Sequence, residues 1–531
     1  MSDGISQRLL DQTRPLRIHL LGVAGSGMSG LAALLLEMGH DVSGSDRVSS
    51  GETERLQGIG LKFSSPHSAD SVSGVEAVVY SSAIKSDNVA LVEAGRSGVP
   101  CLRRAECLAA ILDTRKGVVV AGTHGKTTTS AMCTHILNNG GGKVSHYVGA
   151  EIPVLGANAH WEVDSDYFVA EGDESDGTLG LYQPSHAIVL NIEEEHLDYY
   201  KDLEEIVKVF GKLLERTTER IIYCREDPVA GELCRKYREA ISYGWKESDF
   251  TASNVVEGRG VTSFTVFRRG EEMGRVELGI PGRHNVLNAL AAIALADDLE
   301  VDFNHVTRAL SSFAGAKRRF ESVYLSSRFH VVDDYGHHPT EIAATLQTAR
   351  SLEPGRIVTL FQPHRYSRTE RLAEEFGKAL QGADLVFVTG IYAASESPIK
   401  GISGMTILEA VERQGSTKCV YHEDLETVHH VVGNALRSGD LLLTLGAGNV
   451  HEAGKRISDD LQLIDALESE FAESEMEVRL YESMRRHTTI LVGGPAQFWI
   501  EPRTFSAFSG AVRFFKAVSY THLTLPTKRI V

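Results

Sequence analysis

Residues Ala121-Gly122-Thr123-His124-Gly125-Lys126-Thr127-Thr128-Thr129 follow the apolar run Gly117-Val118-Val119-Val120 and precede a helix-like run, Ser130 to Leu137. A strand, a glycine loop and a helix N-terminus in that order form a cradle for phosphate. Backbone N–H groups from Gly122, Thr123, His124, Gly125 and the first helical turn as far as Thr128 point at an anion. Lys126 adds a point charge and the Thr127 hydroxyl can ligate magnesium. The usual pattern has a glycine where Val120 stands and this chain offers Gly122 instead, so the loop is a shortened variant. ATP with Mg2+ is the expected ligand. A plain tight turn would not call for the Lys-Thr pair.

Carboxylates gather downstream. Tyr167 to Ala170 reads as a strand that runs into Glu171-Gly172-Asp173-Glu174-Ser175-Asp176, and the next strand, Ala187 to Leu190, leads into Asn191-Ile192-Glu193-Glu194-Glu195-His196-Leu197-Asp198. Open parallel sheets bind ligands at the carboxyl ends of their strands. An isolated acid at such a place is often only a helix cap, but two clusters beside a phosphate loop point to metal. One of these acids should help hold magnesium, and His196 could complete a metal site. Further on, His284, Asn285 and Asn288 open an alanine-rich helix and could face a nucleobase. Lys317-Arg318-Arg319-Phe320 is a compact basic cluster usable against phosphate.

A second glycine loop precedes all of these. The strand Leu16 to Leu21 turns through Gly22-Val23-Ala24-Gly25-Ser26-Gly27-Met28-Ser29-Gly30 into an apolar helix, and the strand Asp41 to Ser45 ends at Asp46. This matches the dinucleotide fingerprint with its ribose-binding acid. The physics requires only a diphosphate on a helix N-terminus, which a UDP group also supplies. A separate ATP loop favours that second reading.

Near the other end, the strand Phe329 to Val332 is followed by Asp333-Asp334-Tyr335-Gly336-His337-His338-Pro339-Thr340. The strand Ile357 to Phe361 ends in Gln362-Pro363-His364-Arg365-Tyr366-Ser367-Arg368-Thr369. The planar forks of the two arginines suit carboxylate or phosphate. Strands at Asp384 to Thr389 and Asp440 to Leu445 would complete this sheet.

The elements that must position these groups require several domains, since 531 residues exceed one core. The expected division is 1–115, a Rossmann-like unit; 116–322, a phosphate-loop unit; 323–472, a third α/β unit; 473–517, a remnant; and 518–531, a non-native tail. With 42% hydrophobic and 24% charged residues the composition is that of a globular protein. A net charge of −17 argues against nucleic acid and anionic membrane as partners. No apolar run approaches the roughly 18 residues of a membrane span, and no signal peptide is evident, so a cytoplasmic protein without membrane insertion is expected. The six cysteines include no C-x-x-C pair and read as reduced packing residues.

Taken together, Gly122 to Thr127, Glu171 to Asp176, His196 to Asp198, His284-Asn285 with Asn288, Arg318 to Phe320, Asp333 to Pro339 and Gln362 to Thr369 stand in the order found in the Mur ligase family. Over roughly residues 14–465 the chain resembles that family, and within it the branch that adds L-alanine to UDP-N-acetylmuramate. The resemblance implies an α/β fold of three domains that hold, in turn, the UDP-sugar, ATP with magnesium, and the amino acid. It implies ATP-driven amide formation through an acyl phosphate. By carry-over, Gly25, Ser26, Gly27, Met28, Ser29 and Asp46 bind the UDP-sugar, and Thr127, Glu171 and His196 are the expected magnesium ligands. Arg319 and Asp334 reach the nucleotide phosphate and ribose beside the His284, Asn285 and Asn288 contacts. Tyr335, His337, His364, Arg365 and Arg368 line the L-alanine pocket. Lys126, His196, His337, Arg365 and Arg368 are the expected catalytic set, in a monomer or weak dimer. Sister branches carry a carboxylated lysine beyond the motif histidine; here Lys208 and Lys212 are read as surface residues.

The stretch Tyr481 to Ala496 resembles the opening of the UDP-N-acetylenolpyruvoylglucosamine reductases, which implies a truncated fusion lacking the flavin domain, with no FAD and no reductase activity. Such a piece is expected to be poorly ordered. Rival readings are a murein tripeptide recycling ligase, a nucleotide-binding oxidoreductase and a non-catalytic sensor on the same fold.

Overall fold

Short runs of Val, Ile and Leu closed by glycine or polar turns form parallel strands buried on both faces, and they build three sheets that carry the loops at their carboxyl ends. The computed structural model describes residues 8, 14–175, 177–195, 199–258, 260–394, 396–470 and 475–517. The chain divides into two units, Met1–Lys317 and Arg318–Val531. The basic stretch is thus split: Lys317 pairs with Glu151 at 2.8 Å, whereas Arg318 begins the second unit.

In the first unit, β1 (Arg17–Leu21), β2 (Asp41–Ser45), β3 (Lys62–Ser64), β4 (Ala77–Tyr80) and β5 (Cys101–Arg103) form a parallel sheet in the order β3-β2-β1-β4-β5. The glycine loop after β1 leads directly into α1 (Ser26–Glu37), and α2 (Arg104–Leu112) follows β5.

The second sheet of this unit comprises β6 (Lys116–Ala121), β7 (Val144–Tyr147), β8 (Ala159–His160), β9 (Tyr167–Gly172), β10 (His186–Val189), β11 (Arg220–Cys224), β12 (Ile241–Gly244), β13 (Phe250–Gly258), β14 (Val261–Arg268) and β15 (Glu271–Leu278). Their order is β15-β14-β13-β12-β11-β10-β6-β9-β7-β8. Strand β6 lies between β9 and β10, and Val118 to Ala121 are fully buried. Val120 pairs in register with Glu171 on one side and Ile188 on the other, so the phosphate loop and both acidic clusters leave the same edge. The loop opens α3 (Lys126–Asn139). Helix α4 (Leu203–Arg216) starts at an Asp202 cap and exposes both Lys208 and Lys212. The alanine-rich α5 (Arg283–Asp298) shares a core with α3 through Ile136, Leu137, Ala289 and Ile293.

In the second unit, β16 (Glu321–Leu325), β17 (Phe329–Asp334), β18 (Arg356–Phe361), β19 (Leu385–Val388), β20 (Lys418–Tyr421) and β21 (Asp440–Leu445) are ordered β16-β17-β21-β18-β19-β20, with only β16 antiparallel to its neighbour among these described strands. Helices α6 (Pro339–Ser351), α7 (Tyr366–Arg371), α8 (Leu425–Ala435) and α9 (Val450–Glu470) cover or extend it.

The expectation of poor order after residue 473 is corrected for 475–517. A hairpin of β22 (Met476–Ser483) and β23 (Pro495–Pro502) and helix α10 (Phe505–Ala517) form there. The segment needs no core of its own, because Met476, Ala507, Ala511 and Phe515 close on Leu467 of α9. Tyr481 packs on Gly433 and its hydroxyl donates to Asp460. The predicted tail, 518–531, lies outside the described residues.

Candidate active site

The phosphate loop is shaped by two glycines. Gly125 caps α3 at φ +83°, a left-handed conformation that only glycine adopts readily. A Cβ on Gly122 would stand 2.9 Å from Leu190 Cβ. Asn191, at the end of β10, pins the loop from the side: its Oδ1 accepts the His124 N–H (2.7 Å) and its Nδ2 donates to His124 O (3.1 Å). The Thr123 hydroxyl accepts from Glu193 N at 2.9 Å.

Lys126 Nζ donates to Gly122 O (2.5 Å), Thr123 O (3.1 Å) and Glu174 Oε1 (3.0 Å). Burial works against its charge, but Glu174, Glu171 and Asp173 outweigh it and hold the Lys126 pKa above the ordinary lysine value. The Thr127 hydroxyl donates to Glu171 Oε2 at 2.9 Å, which also accepts from Gly149 N at 2.8 Å. A hydroxyl and a carboxylate beside a phosphate cradle are the hard oxygen donors magnesium takes, so these two residues fit the metal. His196, the third expected ligand, lies outside the described residues, as do Asp176 and Asp198.

The amides of α5 turn inward. Asn285 Nδ2 donates to Pro281 O (2.7 Å) and Asn288 Nδ2 to Asn285 Oδ1 (3.2 Å). Asn288 Oδ1 would stand 2.8 Å from a Cβ on Gly125, so α5 abuts the phosphate loop. His284, in the same turn, is exposed.

At the first glycine loop, Asp46 Oδ2 accepts the Ala24 N–H at 2.9 Å and Oδ1 accepts from Arg47 N at 2.7 Å. Asp46 thereby holds the loop's shape. Gly25, Ser26, Gly27, Met28 and Ser29 form the cap and first turn of α1, with their N–H groups at its positive end.

In the second unit, Asp334 at the end of β17 is buried and accepts from Phe320 N (2.8 Å), Gly336 N (2.8 Å) and the Thr345 hydroxyl (3.2 Å). Burial pushes its pKa up to about 6, with Glu341 adding to the push and Arg319 opposing it. Arg318 Nε donates to Asp333 Oδ2 at 2.9 Å, and its two terminal nitrogens to Gly448 O and Gly446 O. Arg319 lies over the Tyr335 ring, 5.2 Å from its centroid.

A run of rings continues from there. His337 meets Tyr335 and His364 edge-on at 5.4 Å each, and His364 stacks on Tyr392 at 5.6 Å. Arg368 Nη1 donates to His364 Nδ1 at 3.1 Å. Arg365 adopts φ +70° and donates its N–H to Tyr392 O. Of the five residues predicted for this pocket, Tyr335, His337, His364 and Arg368 form one contiguous chain of contacts, and Arg365 adjoins it through Tyr392. Sequence reasoning gave no role to Asn191, Tyr392 or to Glu396, whose carboxylate receives the Ser367 hydroxyl at 2.7 Å. Only the position of Asn191 at a strand end offered a signal.

With the geometry in view, comparison with known proteins is direct. Three family profiles match in sequence order: "Mur ligase family, catalytic domain" over residues 17–116, "Mur ligase middle domain" over 120–296, and "Mur ligase, glutamate ligase domain" over 318–448. The chain belongs to the Mur ligase family, with that family's three-domain α/β architecture. It is 41% identical to the UDP-N-acetylmuramate--L-alanine ligase of Desulforamulus reducens over 458 residues, 85% of this chain and 99% of that protein. The crystal structure of UDP-N-acetylmuramate-alanine ligase from Thermotoga maritima superposes with a TM-score of 0.74 at 30% identity, covering 84% of this chain and 99% of that one. A murein peptide ligase from Psychrobacter arcticus shares the fold at a TM-score of 0.62 and 24% identity, over 83% and 98% of the two chains.

Proposed function

We propose that this chain joins L-alanine to the carboxylate of UDP-N-acetylmuramate, cleaving ATP to ADP and phosphate, in the synthesis of peptidoglycan precursors. The observation that carries the reading is the paired arrangement at the phosphate loop, with Lys126 on Glu174 and Thr127 on Glu171. The 41% identity to an L-alanine ligase supports the choice of substrates.

In this reading the N-terminal α/β layer takes the UDP-sugar. The first turn of α1, Gly25 to Ser29, meets the diphosphate, and Asp46 keeps that loop in shape. The loop Gly122 to Thr128 cradles ATP, with His284, Asn285 and Asn288 beside the base. Thr127 and Glu171, together with His196, would hold Mg2+, which neutralises charge on the phosphates when bound. Lys126 exchanges Glu174 for the γ-phosphoryl group and stabilises charge on it as it moves to the muramyl carboxylate. The second unit binds L-alanine: Arg365 and Arg368 grip its carboxylate, and an imidazole of the His337–His364 pair takes a proton from its ammonium. The freed amine attacks the acyl phosphate carbon, and the tetrahedral intermediate collapses with loss of inorganic phosphate.

Residues 473–517 are retained as the opening of a reductase, supported by the run Tyr481 to Ala496. A cytoplasmic, monomeric or weakly dimeric enzyme completes the proposal. The test is isotopic: UDP-N-acetylmuramate labelled with 18O in its carboxylate passes one 18O to the released phosphate if an acyl phosphate forms. Unlabelled phosphate contradicts the mechanism.

A further inference from the structure

Two glycine loops of the first unit bind anions in the reading above, and a short chain of side chains connects them. Tyr147, the last residue of β7, donates its hydroxyl to Gly27 O at 2.7 Å, and Asn158 Nδ2 donates to Ser26 O at 3.0 Å, both in the first turn of α1. Arg104 then spans the remaining gap. Its Nη1 donates to the Tyr147 hydroxyl (3.3 Å) and its Nη2 to Asp173 Oδ2 (2.6 Å). Asp173 adjoins Glu174, the partner of Lys126.

The fit at Gly27 is close: a Cβ there would stand 2.5 Å from Arg104 Nη1 and 3.0 Å from the Tyr147 oxygen. Arg104 is also badly placed for its own helix. It is the first residue of α2, where a cation opposes the helix dipole. It contributes little to the core, since its side chain and that of Asp173 are 22% and 34% exposed. The planar guanidinium holds two donor nitrogens apart in a fixed geometry, one for each partner, whereas a lysine offers its donors from a single atom.

We propose that Arg104 is a positioning residue: through Tyr147 and Asp173 it fixes the diphosphate loop against the Lys126 loop, so that the acceptor carboxylate lies in line with the γ-phosphate of ATP. The proposal rests on the ligase reading above. Misplacing reacting groups by about 1 Å costs on the order of 10²-fold in rate, and this sets the expected effect.

The experiment compares the full-length wild type with Arg104→Gln, Arg104→Lys and Tyr147→Phe, the last of which keeps the ring in the core. Arg104→Gln lowers kcat at saturating substrates by about 10²-fold, while ADP binding by calorimetry and the thermal midpoint stay at wild-type values. Arg104→Lys keeps the charge but recovers little of the lost kcat. Tyr147→Phe lowers kcat as well, and the double variant Arg104→Gln/Tyr147→Phe is no slower than the worse single one, because one link is already broken. An unchanged kcat with a raised KM for the UDP-sugar overturns the proposal in favour of a simple anion contact. Full rescue by lysine overturns it in favour of charge alone, and joint loss of ADP binding and kcat in both single variants in favour of a structural role. Failure of the ligase reading shows elsewhere, in a wild-type chain that releases no phosphate with UDP-N-acetylmuramate and L-alanine.

Discussion

Replacing Glu174 by glutamine separates the two roles of the Lys126 cluster. Glu174 is 2% exposed and Lys126 14%, with the charges 3.0 Å apart. Removing one partner of a buried ion pair costs ~3–5 kcal/mol, because the other charge is left uncompensated. Lys126 keeps Gly122 O and Thr123 O and the nearby charges of Glu171 and Asp173, so the lower end, ~3 kcal/mol, is expected for Glu174→Gln. A bound nucleotide phosphate replaces the missing charge. ADP should therefore bind the variant more tightly, and a tenfold gain would return ~1.4 kcal/mol. The assay is urea unfolding followed by tryptophan fluorescence in a Trp499→Phe background, where Trp161 and Trp245 both report on the first unit. Loss of less than ~0.5 kcal/mol, within the range of ordinary surface substitutions, would refute the reasoning. So would an ADP-induced stabilisation no larger than in the wild type.

Asp334 gives a pH signature. Its pKa is raised from 3.8 to about 6, so the folded state holds the proton more tightly than the unfolded state. The contribution of Asp334 to stability is then complete below about pH 4 and is lost, by up to ~3 kcal/mol, as pH rises through about 6. Amide exchange in β17 and β21 should show that decline in the wild type and not in Asp334→Asn; a matching decline in the variant contradicts the assignment. Arg368→Ala removes a proposed fork on the alanine carboxylate, and a loss of ~2 kcal/mol predicts a KM for L-alanine about 30-fold higher with the KM for ATP unchanged; equal changes in both would count against it. Tyr481→Ala empties a buried site between Gly433 and Asp460 and should destabilise the second unit by ~3 kcal/mol. Trp499 fluorescence in a Trp161→Phe/Trp245→Phe background reads the effect, and an unchanged transition would show that the hairpin is not part of that cooperative unit.

Much of the first unit's architecture was legible because its signals are local. The strands Asp41–Ser45 and Ala77–Tyr80 have the bounds expected from the sequence, and the Gly-x-x-Gly-Lys-Thr loop declares itself through the order strand, glycine, helix. The antiparallel meander β13 to β15 was missed. Its alternation is interrupted by irregular register between Ser253 and Val256 and between Val266 and Phe267, so no period-two stripe persists. Strand β20 escaped notice because Lys418–Tyr421 carries no fully buried face.

The site was legible in its charged residues and not in what orients them. Asn191 acts by contacts that exist only once the ends of β6 and β10 lie side by side, and Tyr392 and Glu396 act by contacts with the loop after β18, which nothing in their local sequence marks. Asp46 was read as a ribose contact, but its bond to Ala24 N, between residues 22 apart, also makes it a brace for the loop. The hairpin after residue 475 looked too short to fold because the count omitted the surface already offered by α8 and α9.

The central claim is tested most directly by phosphate release from ATP and magnesium with UDP-N-acetylmuramate, with and without L-alanine and over a small amino-acid panel. The account predicts release only when both the UDP-sugar and L-alanine are present, and its loss in Lys126→Ala. Release with neither substrate, or only with a peptide in place of the amino acid, would contradict it.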